Sequence, residues 1–297
     1  MKKIILKPLF FCLMGVALLS SCGDEAETEQ KVDKEVFDEE NPFHAVFDDK
    51  IFSIPSPIQT GYLIKKLDLT FDKSLLSDRA SVDSYVTEHR QALNLGVYGT
   101  DVGYAALYGQ KNISLNYLST IEKITEQLGL DVAFNAEFVE KFEKSNGNED
   151  EMIRLMSQAF KKADNFLKNA NRKAVSAKIL TGGWIESMYI ACQLHSKKPS
   201  EEIKRRIGEQ KQSLISIIEL LGEYNKDKSN DELIAQLNDL KVSFDKIILE
   251  YEYAAPDTDA SKNFTTFNNT YKVDFDETVV KEISQKITTI RNSIIKA

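Results

Sequence analysis

The chain has 297 residues, 28% of them charged, with 46 acidic against 38 basic side chains and a net charge of −8. That balance argues against a nucleic-acid partner, because a phosphate backbone selects a basic face. Three cysteines are too few to staple a chain that is long enough to bury a large core of its own.

Residues 1–21 read as a signal segment. Lys2, Lys3 and Lys7 precede and flank an apolar stretch of about a dozen residues, within the ~7–15 of a signal peptide and short of the ~20 that cross a bilayer. It closes on Leu19-Ser20-Ser21-Cys22-Gly23, the pattern of a lipoprotein cleavage site, so Cys22 is expected to become the lipidated first residue of the mature chain. Of the other cysteines, Cys12 leaves with the signal and Cys192, in an apolar run, reads as a small buried hydrophobe rather than a nucleophile. Loss of three lysines leaves 35 basic against 46 acidic residues, a net −11, so acyl chains rather than surface charge would hold the protein to a membrane.

Positions 24–40 carry nine acidic residues and two lysines with almost no apolar content, as a solvated tether spanning about 25 Å would. Acidic residues just after a lipidated Cys resemble the sorting signals that send some lipoproteins to the outer face of the outer membrane. Periplasmic retention stays equally open. The expected organisation is a signal at 1–21, a lipidated Cys and acidic tether at 22–50, and one all-α domain at 51–297.

That domain opens on Ser53-Ile54-Pro55-Ser56-Pro57, where Ser56 can cap a helix and Pro57 suits its first position. Leu67-Asp68-Leu69-Thr70-Phe71 alternates like a strand, but one strand makes no sheet. Beyond it apolar residues recur by threes and fours. The stripes are Ile113, Tyr117, Ile121, Ile124 and Leu128; Phe134, Phe138 and Phe142; Ile153, Met156, Phe160, Ala163 and Leu167; Leu233, Leu237, Leu240, Phe244, Ile247 and Tyr251; and Val280, Ile283, Ile287, Ile290 and Ile294. Breaks fall at Gly109, Gly129, Ser145-Asn146-Gly147-Asn148, Lys198-Pro199-Ser200, 226–229 and 256–262. Helices of this length with short links predict a multi-helix antiparallel bundle.

Two segments depart from that pattern. In the first, Gly96, Gly99 and Gly103 line one flank of a helix, while Asp101, Tyr104 and Tyr108 share the other, with Tyr98 nearby. In the second, Gly182 and Gly183 precede Trp184, and Glu186, Tyr189 and Gln193 share a face. Glycine costs a helix about 1 kcal/mol against Ala, so such clusters need a reason. Close approach of two central helices, crossing at Gly96, Gly99, Gly103, Gly182 and Gly183, supplies one. The shared order of acid, tyrosine and hydrogen-bonding side chain also hints at a duplication, with halves at 81–145 and 150–251.

Two readings of the polar faces stay open. Asp101 and Glu186 could be acceptors in a ligand pocket walled by Tyr98, Tyr104, Trp184 and Tyr189, or buried carboxylates that fix helix register. A carboxylate hydrolase using the same pair is a weaker alternative. No nucleophile elbow, phosphate loop or zinc-protease helix is present, His44, His89 and His195 lack bundle-metal spacing, and no cofactor or metal is implied. The residues therefore favour binding or scaffolding over catalysis, with an envelope protein or a small molecule as partner. A filled interior with an exposed apolar patch would favour the protein partner, and a cavity touching both motifs the small one.

The runs Ile54-Pro55-Ser56-Pro57, Ala92-Leu93-Asn94-Leu95-Gly96-Val97-Tyr98-Gly99-Thr100-Asp101, Gln127-Leu128-Gly129 and Gly182-Gly183-Trp184-Ile185-Glu186 resemble a family of helical lipoproteins of Bacteroidetes-type bacteria. The resemblance covers most of the chain from about Phe52 onward. It implies an all-α lipoprotein and brings no catalytic residue with it.

Overall fold

Residues 45–47, 50–52, 70–145, 147–259, 261, 264–266 and 270–296 are described by a computed structural model, all inside a unit that spans 42–297. The signal, Cys22, the acidic run 24–40 and the Ser56-Pro57 helix start lie outside the described residues. So do His44 and Leu67-Asp68-Leu69, while Thr70 and Phe71 are irregular.

Nine α-helices make the described fold all-α: α1 Glu88–Leu107, α2 Lys111–Gln127, α3 Ala136–Lys144, α4 Glu149–Asn169, α5 Lys173–Lys197, α6 Glu201–Glu209, α7 Lys211–Glu223, α8 Asp231–Phe244 and α9 Glu277–Ile295. Local chemistry sets many of their ends. Thr87, Asn135, Asn148, Ser200 and Asp276 accept backbone N–H bonds as N-caps. Gly109 and Gly129 sit in the left-handed region just past α1 and α2, where a side chain would be strained. Two further breaks carry no glycine or proline: Asn171, also left-handed, ends α4, and Gln210 joins α6 to α7.

α1 and α5 are the central pair. Every residue from Ala92 to Leu107 is buried, because α1 faces a different core on each side. Leu95, Tyr98, Val102 and Ala106 join a core built with α2, α3 and α4. Leu93, Val97 and Tyr104 join the core of α5 to α9. A helix enclosed on all sides loses the usual polar stripe, which is why α1 and α5 differ in sequence from the amphipathic helices around them.

Glycine permits the approach. A Cβ on Gly96 would lie 2.0 Å from the Ile179 carbonyl oxygen and 2.5 Å from the Gly183 nitrogen, and one on Gly182 would lie 2.0 Å from the Leu93 carbonyl oxygen. Thr100 Oγ1 ties the crossing by donating to the Gly183 oxygen at 3.2 Å. Gly99 serves another neighbour, since the Phe160 ring of α4 occupies the space its side chain would take. α9 closes the second core and reaches back to α1: Asn94 Nδ2 donates to the Ile294 oxygen and Tyr85 Oη to the Ile295 oxygen, both at 3.0 Å.

Three expectations need correction. The stripe ending at Tyr251 is not one helix. α8 stops at Phe244, and Tyr251 lies in β3 (Ile248–Glu252), which pairs antiparallel with β6 (Thr270–Asp274) in the register Ile248↔Asp274 to Glu252↔Thr270. The break at 256–262 holds β4 (Asp257–Asp259), paired with β5 (Phe264–Thr266), so the described residues between 248 and 274 carry two antiparallel ladders, here called the β arm. At the other end, β1 (Ala45–Phe47), inside the stretch assigned to the tether, pairs antiparallel with β2 (Lys50–Phe52), which crosses its boundary at 50, and Phe47 is buried with its ring under Lys168 Nζ at 4.2 Å. The two halves of the suggested duplication also differ in order: the glycine-rich helix opens the first and follows α4 in the second.

Candidate functional site

Asp101 on α1 and Glu186 on α5 meet beside the helix crossing, both fully buried, Asp101 five residues after Gly96 and Glu186 four after Gly182. Arg291 of α9 completes the group. Its Nε and Nη2 donate to the two oxygens of Glu186 at 2.7 and 2.9 Å, in the two-pronged geometry that makes such bonds strong. Nη2 also donates to Ser77 Oγ at 2.9 Å and the Leu75 oxygen at 3.2 Å, and the guanidinium stacks 4.0 Å from the centre of the Tyr189 ring.

Asp101 is held differently. Its Oδ2 accepts the Ser77 backbone N–H at 3.1 Å, while Oδ1 finds no N–H or O–H donor among the described residues. Burial and the neighbouring Glu186 carboxylate push the Asp101 carboxyl well above the usual range. Burial raises Glu186 too, but Arg291 opposes that directly, and Asp101 lies within hydrogen-bond reach. Of the two, Asp101 is the carboxyl whose surroundings favour a proton, because Arg291 bonds Glu186 and no cation bonds Asp101; with a proton there, Glu186 stays ionised against Arg291. The buried group is then neutral overall, the arrangement with the smallest desolvation cost.

Most of the remaining polar groups of both faces bond other parts of the protein. Tyr98 Oη donates to the Asp78 oxygen at 2.7 Å, and Tyr104 Oη accepts the Asp72 N–H at 3.0 Å. Tyr108 packs against Phe71 and Tyr104, its hydroxyl without a partner among the described residues. Trp184 Nε1 donates to Gln210 Oε1 at 3.1 Å, and Gln193 makes a long contact of 3.4 Å to Thr288. Tyr98 and Tyr104, like Asp101 and Arg291, are thus tied down by the segment 72–84, which holds two 3-10 turns (Lys73–Leu75 and Arg79–Ser84). Ser77, at its centre, also gives its oxygen to Tyr117 Oη at 2.6 Å.

Sequence reasoning missed Ser77, Tyr117 and Arg291 as members of this group. Arg291 had a signal: it stands four residues after Ile287 and three before Ile294, a lone charge on the apolar face of α9. Ser77 had none.

Chemically, two carboxyls with divergent proton affinities are the raw material of acid–base catalysis. Here they touch no solvent-connected space. A groove of about 650 Å³ reaches Ser77 and Tyr117 from outside but is not lined by Asp101 or Glu186. Cys192 is buried, and burial pushes its thiol up to about 12, which leaves no thiolate at neutral pH. His195 bonds Glu277 at 3.0 Å and the Ser200 N–H at 3.2 Å. Among the described residues no cluster of three or more His, Cys, Asp or Glu could hold a metal ion, and no helix is long and apolar enough to cross a membrane. No protein-family profile, curated protein or solved structure matches the chain.

Proposed function

We propose that this chain is a non-catalytic interaction module of the bacterial cell envelope, held on a membrane by lipid at Cys22 and joined to it by the acidic run 24–40. The observation that carries the reading is the pairing of a filled interior with an exposed apolar surface. The two polar faces that would have formed a ligand pocket are filled by Ser77 and Arg291, whereas Ile248, Tyr251, Tyr253 and Phe264 are 55%, 61%, 71% and 62% exposed on the β arm. A single exposed apolar residue needs no explanation, but half of the large exposed hydrophobics among the described residues fall within these 17 positions. A two-stranded ribbon is marginal in water alone and gains from a partner that covers its face or edge. Asp274 is paired with Ile248, and Glu250, Glu252 and Asp257 lie close in sequence to Tyr251 and Tyr253, with Lys272 as the cation opposite Glu250, so the fitting partner is a protein with an apolar, basic face.

The test has two arms in cells producing the full chain. Cys22→Ser should move the protein from the membrane to the soluble fraction. A photo-crosslinker at Tyr251 or Tyr253 should give one discrete protein adduct that the same group at Val242, exposed but off the arm, does not give. Membrane retention of the Cys22→Ser chain, or identical adducts from both places, sinks the reading.

A further inference from the structure

The groove outside Ser77 is built from two elements of different chemistry. One wall is the segment of 3-10 turns, contributing Lys73, Leu76, Ser77, Asp78, Arg79, Ala80 and Val82. The other is a single stripe of α2, where Ile113, Asn116, Tyr117, Thr120 and Lys123 recur by threes and fours, with Ser119 beside them. Its volume of about 650 Å³ lies within the ~300–1,000 Å³ of small-molecule sites.

Charge distinguishes this place from the rest of the surface. In a chain of net −8, the groove is lined by three cations, Lys73, Arg79 and Lys123, against one acid, Asp78. That acid is already engaged, accepting the Ala80 N–H at 2.9 Å as the cap of the second turn. Lys123 pairs with Asp83, which is not part of the lining, and the pair is exposed enough to exchange for a better-placed anion. Arg79 is oriented in advance: Nη1 donates to the Asn116 oxygen at 2.5 Å and the guanidinium lies over the Tyr117 ring at 5.7 Å, so its remaining N–H groups stay available.

The floor is rigid for the reason given above. Ser77 is fixed by Asp101, Arg291 and Tyr117, so an occupant would not have to order the backbone beneath it. Between the cations lie the Asn116 amide and the Ser119 and Thr120 hydroxyls, which suit ligand hydroxyl groups, with Leu76, Val82 and Ile113 as apolar edges.

We propose that this groove binds a small hydroxylated anion, a sugar acid or sugar phosphate, with Arg79, Lys73 and Lys123 holding its charged group. This site is independent of the β arm, so either reading stands if the other fails.

The test is isothermal calorimetry on the full chain at low salt with D-glucuronate, glucose 6-phosphate, inorganic phosphate and neutral glucose as probes. Saturable binding of an anionic sugar and none of glucose is expected. Arg79→Gln and Lys73→Gln should each weaken it about tenfold, the loss of one charge-assisted bond. Glucuronate alone binding identifies a carboxylate as the recognised group; glucose 6-phosphate and phosphate binding alike identify a phosphate. Since Arg79 also bonds Asn116, the exposed Lys73 is the variant that leaves the fold untouched. No binding by any anion, equal binding of glucose, or unchanged affinity in Lys73→Gln and Arg79→Gln overturns the proposal.

Discussion

Replacing Asp101 by Asn should make the stability of this protein less sensitive to pH. Burial and the Glu186 carboxylate raise the Asp101 carboxyl in the folded chain, so above the ordinary aspartate value near 3.9 the folded chain is expected to hold a proton that the unfolded chain releases. For a carboxyl whose folded pKa is raised, the stabilising contribution is complete below the unfolded value and is lost as pH rises through the folded one. In that window the native state binds one proton more than the unfolded state, so unfolding free energy falls by about 1.4 kcal/mol per pH unit from this group. Asparagine removes the titration while keeping the contacts: its carbonyl can accept the Ser77 N–H, and its amide can donate towards Glu186 as the acid's O–H does. Urea unfolding at pH 5, 6 and 7, followed through Trp184, the single tryptophan and a buried one, measures the difference. The variant should gain on the parent by about 1.4 kcal/mol per unit across the window. Parallel profiles, or a variant less stable by ~3 kcal/mol at every pH, would refute the placement of the proton.

Two further outcomes follow from the same interior. Arg291→Met leaves Glu186 buried without its cation and should cost about 3–5 kcal/mol, much of it recovered when Glu186→Gln is added; a double variant that merely sums the single losses contradicts the pairing. Gly182→Ala should cost about 3 kcal/mol or more, because backbone stands 2.0 Å from the new Cβ, while Gly222→Ala, with open space around it, should stabilise by about 0.5–1 kcal/mol. Equal effects in thermal or urea unfolding would show that the crossing is looser than its geometry implies.

Much of the helical plan was legible because apolar spacing and small residues are local signals. Gly96 and Gly182 stood out in sequence for the reason they meet in space, since only a missing side chain lets two helix backbones touch. Asp101 and Glu186 stood out as acids in the apolar middles of their helices. Their partners did not, because Arg291 is 105 residues from Glu186 and 214 from Ser77, and no periodicity encodes a pairing at that separation. The β arm was hidden by an ambiguity of a different kind. Tyr251 falls four residues after Ile247 and so continues a helical stripe, yet Ile248-Leu249-Glu250-Tyr251-Glu252 also fits an extended ribbon, and the turn at 245–247 contains no glycine or proline.

The distance from Glu186 to Arg291 also sets an order of events. A chain made from its N-terminus presents both central helices, glycines and carboxyls included, well before the residue that neutralises their junction has been synthesised. Without that residue, closing the crossing would bury negative charge with nothing opposite it, a costly arrangement in a low-dielectric interior. Arg291 thus makes closure of the middle depend on the arrival of α9, a helix far along the chain from the crossing it completes.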